Sequence, residues 1–125
     1  MKTSDLVKDW LAREGFRATI DDDGDLQFKY QGFTMWVTPD EKDPLFLRII
    51  LPNIYEVNEE NRAAVLEALN KVNCDLKAVK GYVVGENVWL SIEMYIDASP
   101  EIEDFIERCL DILLAGHRKF GEEMK

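Results

Sequence analysis

The chain has 125 residues, 46% apolar and 32% charged, long enough to bury about two-thirds of its unfolded surface without staples and too apolar to stay disordered. Fifteen Lys and Arg against twenty-five Asp and Glu give a net charge of −10, a field that repels phosphate, so nucleic acid and anionic membranes are disfavoured and protein partners are favoured. No apolar run approaches the ~20 residues that span a bilayer, and charges sit in the first ten residues where a signal peptide needs an apolar core, so a cytoplasmic location is expected.

In chain order, Ser4 is placed to cap a first helix, with Asp5 in its first turn. Leu6, Val7, Trp10 and Leu11 recur at helical spacing, and Gly15 closes the helix. Short strands follow at Arg17–Ile20, Leu26–Tyr30 and Phe33–Thr38, the last two joined by a tight Gln31-Gly32 turn. After a charged loop, Pro39–Pro44, the run Leu45–Leu51 reads as a strand covered on both faces or at a sheet centre, broken by Arg48 and stopped by Pro52. Asn58 can cap a second helix whose stripe is Val65, Leu66, Leu69 and Val72. Two strands, Leu76–Val84 and Val88–Ile96, turn at Gly85-Glu86-Asn87. Ser99-Pro100-Glu101 starts a third helix with a broad stripe from Ile102 to Leu114, and the polar tail Lys119–Lys125 is expected to fray. No repeat or linker interrupts the chain, so residues 1–125 read as one domain.

The strand Val88–Ile96 alternates cleanly. Val88, Leu90, Ile92, Met94 and Ile96 commit one face to a core, while Trp89, Ser91, Glu93, Tyr95 and Asp97 occupy the other. Trp36, Trp89 and Tyr95 all fall on faces opposite the core, and Phe46 and Ile50 join them if the parity of their strand so places them. Either a helix covers this second face, or part of it stays exposed as a dimer or partner surface, since large apolar patches rarely remain bare on a monomer.

Chemical signatures are sparse. The cluster Asp21–Asp25 would fit a calcium loop only with Gly24 at the sixth position, which puts Thr19 first and Tyr30 twelfth, neither a carboxylate, so a structural turn is expected and no metal. His117 is the only histidine and continues the third-helix stripe; a Cys–His pair with Cys74 or Cys109 depends on the fold. The two cysteines lack CxxC spacing and read as reduced thiols, a structural disulfide being the minor alternative. No phosphate-cradling glycine loop and no distinctive carboxylate pair is present, so no catalytic residue and no cofactor is assigned.

Several stretches together resemble the YbjN family: Val7–Gly15 followed by Phe16, the run D-D-D-G-D-L-Q-F at Asp21–Phe28, Phe46–Leu51 before a proline, Val65–Asn73 ending in a helix-terminal Asn, and Val88–Ile96 leading to Ser99-Pro100-Glu101. The resemblance implies the fold of type III secretion chaperones and a small bacterial cytoplasmic protein, commonly dimeric, that binds proteins as a chaperone or sensory regulator. It brings no catalytic residues. An extra strand pair before the middle helix departs from the chaperones, and nothing in the chain identifies an effector.

The expected architecture is therefore α+β, in the order α-β-β-β-β-α-β-β-α, with the first and third helices on one sheet face and the second between the strand groups. The expected function is a homodimeric, non-enzymatic protein-interaction module whose partner surface is Trp36, Phe46, Ile50, Trp89 and Tyr95. The alternative is a small-molecule site or cryptic enzyme with a pocket near the third-helix stripe.

Overall fold

Six strands form one antiparallel sheet in the order β1-β2-β3-β4-β6-β5, in a computed structural model that describes residues 2–125. Met1, the first residue of the N-terminal stretch read above, lies outside the described residues. The elements are α1 (Thr3–Arg13), β1 (Ala18–Ile20), β2 (Leu26–Tyr30), β3 (Phe33–Val37), β4 (Phe46–Glu56), α2 (Arg62–Asp75), β5 (Val79–Val84), β6 (Asn87–Tyr95) and α3 (Ile106–Glu123), with a single 3₁₀ turn, Ile102–Asp104, leading into α3. The element order is the expected one. The two strand groups merge because β4 pairs with β6 from Phe46↔Tyr95 to Glu56↔Asn87.

Side-chain alternation then decides where the helices go. Leu47, Ile49 and Leu51 of β4 and Val88, Leu90 and Ile92 of β6 are all 3% exposed or less and share a core with Val7, Leu11, Val65, Leu69, Leu110 and Leu113 from the three helices. Burying each such side chain contributes about 1.5–3 kcal/mol. The helices form a single layer: α1 touches β1 and β3, α2 packs on β5 and α3, and α3 lies over β5 and β6. This corrects the placing of α2 between the strand groups, and Gly81 shows why. A Cβ there would stand 2.8 Å from Leu69 Cδ2 and 3.0 Å from Leu90 Cδ2, so the bare backbone lets α2 close onto β5. Asn73 at the end of α2 accepts the Gly81 N–H (2.8 Å) and donates to the Gly81 carbonyl (3.1 Å).

Pro52 does not stop β4. Thr38 donates its N–H to the Arg48 carbonyl, so Thr38, Trp36 and Thr34 point their main-chain groups at β4, and Arg48, Ile50 and residue 52 point theirs at β3. The N–H that proline lacks belongs to the β3 side alone. Pairing with β3 accordingly ends after Trp36↔Ile50, while pairing with β6 resumes at Tyr55↔Val88 beyond an irregularity spanning Pro52, Asn53 and Ile54.

Other boundaries move for local reasons. Ser4 is buried inside the first turn of α1 and caps nothing; the Asp5 carboxylate accepts the Lys2 N–H instead. Asn58 and Asn61 exchange side-chain bonds to each other's N–H, and the helix begins only at Arg62. Leu66 is 48% exposed, Ala68 taking its place on the buried stripe. Leu45 lies outside the strand, and Leu76–Ala78 are not part of β5, which begins after Ala78 at φ 70°. Asn87 belongs to β6, leaving Gly85-Glu86 as a two-residue turn. The segment after Ser99-Pro100-Glu101 forms the 3₁₀ turn, and α3 proper starts at Ile106. The tail does not fray, because Phe120 is buried against Tyr55 and Lys119 bridges Asp75 and Glu123 at 3.2 Å each.

Candidate functional site

The helix layer covers one face of the sheet, and among the described residues no helix lies on the other. Register places Trp36, Ile50, Ser91 and Lys80 in one row across β3, β4, β6 and β5 on that second face, with Arg48↔Glu93, Phe46↔Tyr95 and Trp89↔Tyr82 on the same side. All five residues singled out from the sequence (Trp36, Phe46, Ile50, Trp89, Tyr95) therefore share the helix-free face. Ile50 is 6% exposed yet lies outside the main core, because its own neighbours on this face cover it. Tyr95 is 73% exposed.

The face is held in shape by polar contacts. Asn53, at φ 55° beside Pro52, accepts the Trp89 indole N–H at 3.0 Å and fixes that ring. Glu93 sits at the centre, with Lys80 Nζ at 2.6 Å, Arg48 Nε at 3.7 Å and the buried Ser91 hydroxyl donating at 2.9 Å. Burial alone would raise the Glu93 pKa; hydrogen bonds from Lys80 and Ser91 and the nearby cations outweigh it and hold the carboxyl below its ordinary range. Arg48 lies over the Phe46 ring at 5.2 Å and Lys80 over Tyr82 at 5.3 Å. A shallow depression of ≈ 430 Å³ runs between Arg48, Ile50, Tyr82 and Trp89. Sequence reading passed over Arg48, Lys80 and Glu93; their signal was a charge interrupting an otherwise apolar strand and a carboxylate in phase with two aromatics.

A second concavity opens where β3 and β4 part. It is a notch of ≈ 430 Å³ lined by Phe33, Thr34 and Trp36 on one side, Pro52, Asn53 and Ile54 on the other, and His117 from α3. The imidazole packs on Phe33 with ring centres 4.7 Å apart. Burial, and then the charge of Arg118, hold its pKa below the usual 6.5.

The thiols lie elsewhere. Cys109 is buried on α3 with Met94 Sδ at 3.9 Å, and burial pushes its pKa up to about 11, which keeps it protonated and unreactive. Cys74 is exposed on α2 beside Asn70. No hydrogen bond joins either thiol to His117 among the described residues. The Asp21–Asp25 cluster is a turn organised by Asp21, whose carboxylate accepts the N–H groups of Asp23 (2.9 Å) and Asp25 (3.0 Å), with Gly24 at φ 86°. Asp25 is pushed to a higher pKa by burial and then by Asp21 and Asp23. Among the described residues no group of three metal-type side chains converges, and no helix is long and apolar enough to cross a membrane.

Comparison with known proteins fits this picture. No curated protein matches the chain in sequence. Among solved structures, that of YbjN from E. coli, described as "a putative transcription regulator", is similar with a TM-score of 0.71 at 13% identity, over 90% of this chain and 86% of that one. At that identity the likeness is one of fold. The family model of YbjN, described as "Putative bacterial sensory transduction regulator", matches residues 3–112. From α1 to the first turns of α3, the chain belongs to the YbjN family.

Proposed function

We propose that this protein is a non-enzymatic regulatory module that binds protein, and that it pairs with a second copy through its helix-free sheet face. The observation that carries the reading is the gathering of Trp36, Phe46, Ile50, Trp89 and Tyr95 on the one face that no helix covers. The family description as a regulator supports the role, with no reaction named in it. A chaperone-like or adaptor action in a bacterial cytoplasm belongs to the same reading.

Size and charge both favour a second copy. Four strands about 4.8 Å apart and roughly seven residues long give a plane of roughly 450 Å², which side-chain relief brings near the ~800 Å² per partner of a standard interface. Arg48 and Glu93 face each other across the β4–β6 pair. A two-fold axis between them sets each guanidinium against the other copy's carboxylate, the self-complementarity an isologous contact requires.

Sedimentation equilibrium tests this. The expected mass is twice the 14.5 kDa of the chain. Arg48→Glu and Trp89→Ala shift it to one chain while leaving the circular dichroism intact, and adding Glu93→Arg to Arg48→Glu restores pairing. A single-chain mass for the unaltered protein at on the order of 100 μM, well above the Kd of a micromolar dimer, refutes the reading.

A further inference from the structure

We infer that the depression between Arg48, Ile50, Tyr82 and Trp89 is a binding site for a small flat-ringed monocarboxylate, and that such a ligand excludes the second copy from the sheet face. The exclusion rests on the pairing proposed above; the binding does not.

Arg48 is the anchor. Its ion pair with Glu93 is made by Nε at 3.7 Å, beyond hydrogen-bond reach, and the guanidinium makes no hydrogen bond among the described residues. Glu93 turns instead to Lys80 Nζ at 2.6 Å and to the Ser91 hydroxyl at 2.9 Å. The Arg48 side chain is 38% exposed and lies over the Phe46 ring, so its fork of donors is both positioned and open. A carboxylate fills such a fork with two parallel bonds.

Charge sets the valence of the ligand. Arg48, Lys80 and Glu93 are the charged residues lining the depression, two cations against one carboxylate. Burial opposes the ionised form of Glu93, but hydrogen bonds from Lys80 and Ser91 and the charge of both cations outweigh it. One positive charge is left over, which matches a monoanion. A phosphate ester, close to a dianion at neutral pH, overshoots that balance on a chain of net charge −10.

The remaining lining sets the shape. Register puts Lys80, Ser91 and Ile50 in one row and Tyr82 beside Trp89 in the next, about 6.6 Å further along the strands. Ile50, Val84 and the two rings supply the apolar surface, and the Trp89 indole is held by its 3.0 Å bond to Asn53. A cationic end and an aromatic end one row apart suit a ring that bears a carboxylate, and ≈ 430 Å³ falls within the range of small-molecule sites. The same fork is where a two-fold axis brings the second copy's Glu93. Ligand and second copy therefore contend for one guanidinium.

The test is an NMR titration of the full chain with 2-naphthoate, and with 2-naphthamide as the uncharged match, followed by sedimentation equilibrium of the same mixtures. The expected result is a saturable shift of the Trp89 indole N–H and the Arg48 Nε–H at millimolar 2-naphthoate, with the amide binding about fivefold or more weakly. The mass is expected to fall from two chains toward one as the site fills. Glu93→Gln removes the carboxylate that competes for Arg48 and is expected to tighten 2-naphthoate binding about fivefold; Arg48→Lys keeps the charge, loses the fork and weakens it by about the same factor. No saturable shift up to roughly 10 mM, a weak limit even for a fragment of so few atoms, overturns the site. Equal binding of acid and amide, or shifts centred away from Arg48 and Trp89, overturns it as well. Saturation with the mass held at two chains overturns the exclusion. A single-chain mass before any ligand is added refutes pairing and the exclusion with it, while the shifts still decide the site.

Discussion

Replacing Asn73 by Ala tests how α2 is fastened to the sheet. β5 is an edge strand, and Gly81 points its main-chain groups outward, where Asn73 takes both: the N–H at 2.8 Å and the carbonyl at 3.1 Å. The side-chain amide stands in for a missing neighbour strand. Two hydrogen bonds at about 1 kcal/mol each give a gross loss of ~2 kcal/mol. Alanine is the better helix former by about 0.5 kcal/mol, so the net loss is ~1.5 kcal/mol. For a chain of 125 residues, with an unfolding entropy of ~2.1 cal/mol/K per residue, that corresponds to a melting point roughly 6 °C lower. Asn70→Ala is the control: it sits one turn earlier on α2, its side-chain oxygen making only a 3.9 Å contact with Cys74 Sγ, and it gains the helix propensity without losing a bond to the sheet. Thermal and urea melts followed by circular dichroism decide the matter. Should Asn73→Ala melt at or above the temperature of Asn70→Ala, the amide does not fasten α2 to β5 and the reasoning fails. The uncapped edge also predicts faster aggregation of Asn73→Ala on heating, read by light scattering.

Three further outcomes follow from the same coordinates. Gly81→Ala drives a methyl to within 2.8 Å of Leu69 and is expected to cost about 1–3 kcal/mol in urea melts; an unchanged midpoint would show that α2 stands off the strand. Tyr30→Phe removes a 2.7 Å bond to Asp111 and costs about 1 kcal/mol, and spectrophotometric titration of the unaltered protein finds the Tyr30 hydroxyl ionising at about 12, raised by burial and then by Asp111. His117 has a folded pKa below its unfolded one, so the unfolded chain binds more protons and stability falls as pH drops through 6.5. His117→Phe removes that histidine's part of the slope in denaturation curves between pH 7.5 and pH 5, whatever slope the carboxylates retain.

Much of the fold could be read from periodicity because its sheet buries one face and leaves the other without a helix. Strands with one committed face alternate, and Leu26–Tyr30, Phe33–Val37 and Val88–Leu90 all do. The same signal put Trp36, Trp89 and Tyr95 on one side. It left Phe46 and Ile50 undecided, because β4 carries isoleucines of both parities at 49 and 50 and only its pairing with β6 assigns each to a face. The face on which α2 lies was not legible either: the evidence is the absence of a side chain at Gly81 and a three-dimensional bond from Asn73, and neither leaves a period in the sequence. The cohesion of the tail was missed because Lys119–Lys125 looks polar residue by residue. What orders it is one phenylalanine on the far side and ion pairs to another helix.

Pro52 marks the limit of such reading most sharply. A proline in a strand-like run argues for an end, and here it ends one partnership and not the other, because its absent N–H faces β3 while Leu51 before it and Tyr55 beyond the irregularity stay paired with β6. Three features follow from that geometry. The ladder to β3 opens into the notch beside His117. The extra length of chain between Leu51 and Tyr55 leaves Asn53 in a left-handed conformation, from which its carbonyl reaches the Trp89 indole. And β4, freed of β3, runs on beside β6 to Glu56, so that the helix-free face is wider along β4 and β6 than an ending at Leu51 would have made it. The helix-free face and the notch thus have a common covalent origin in Pro52, and Trp36 borders both.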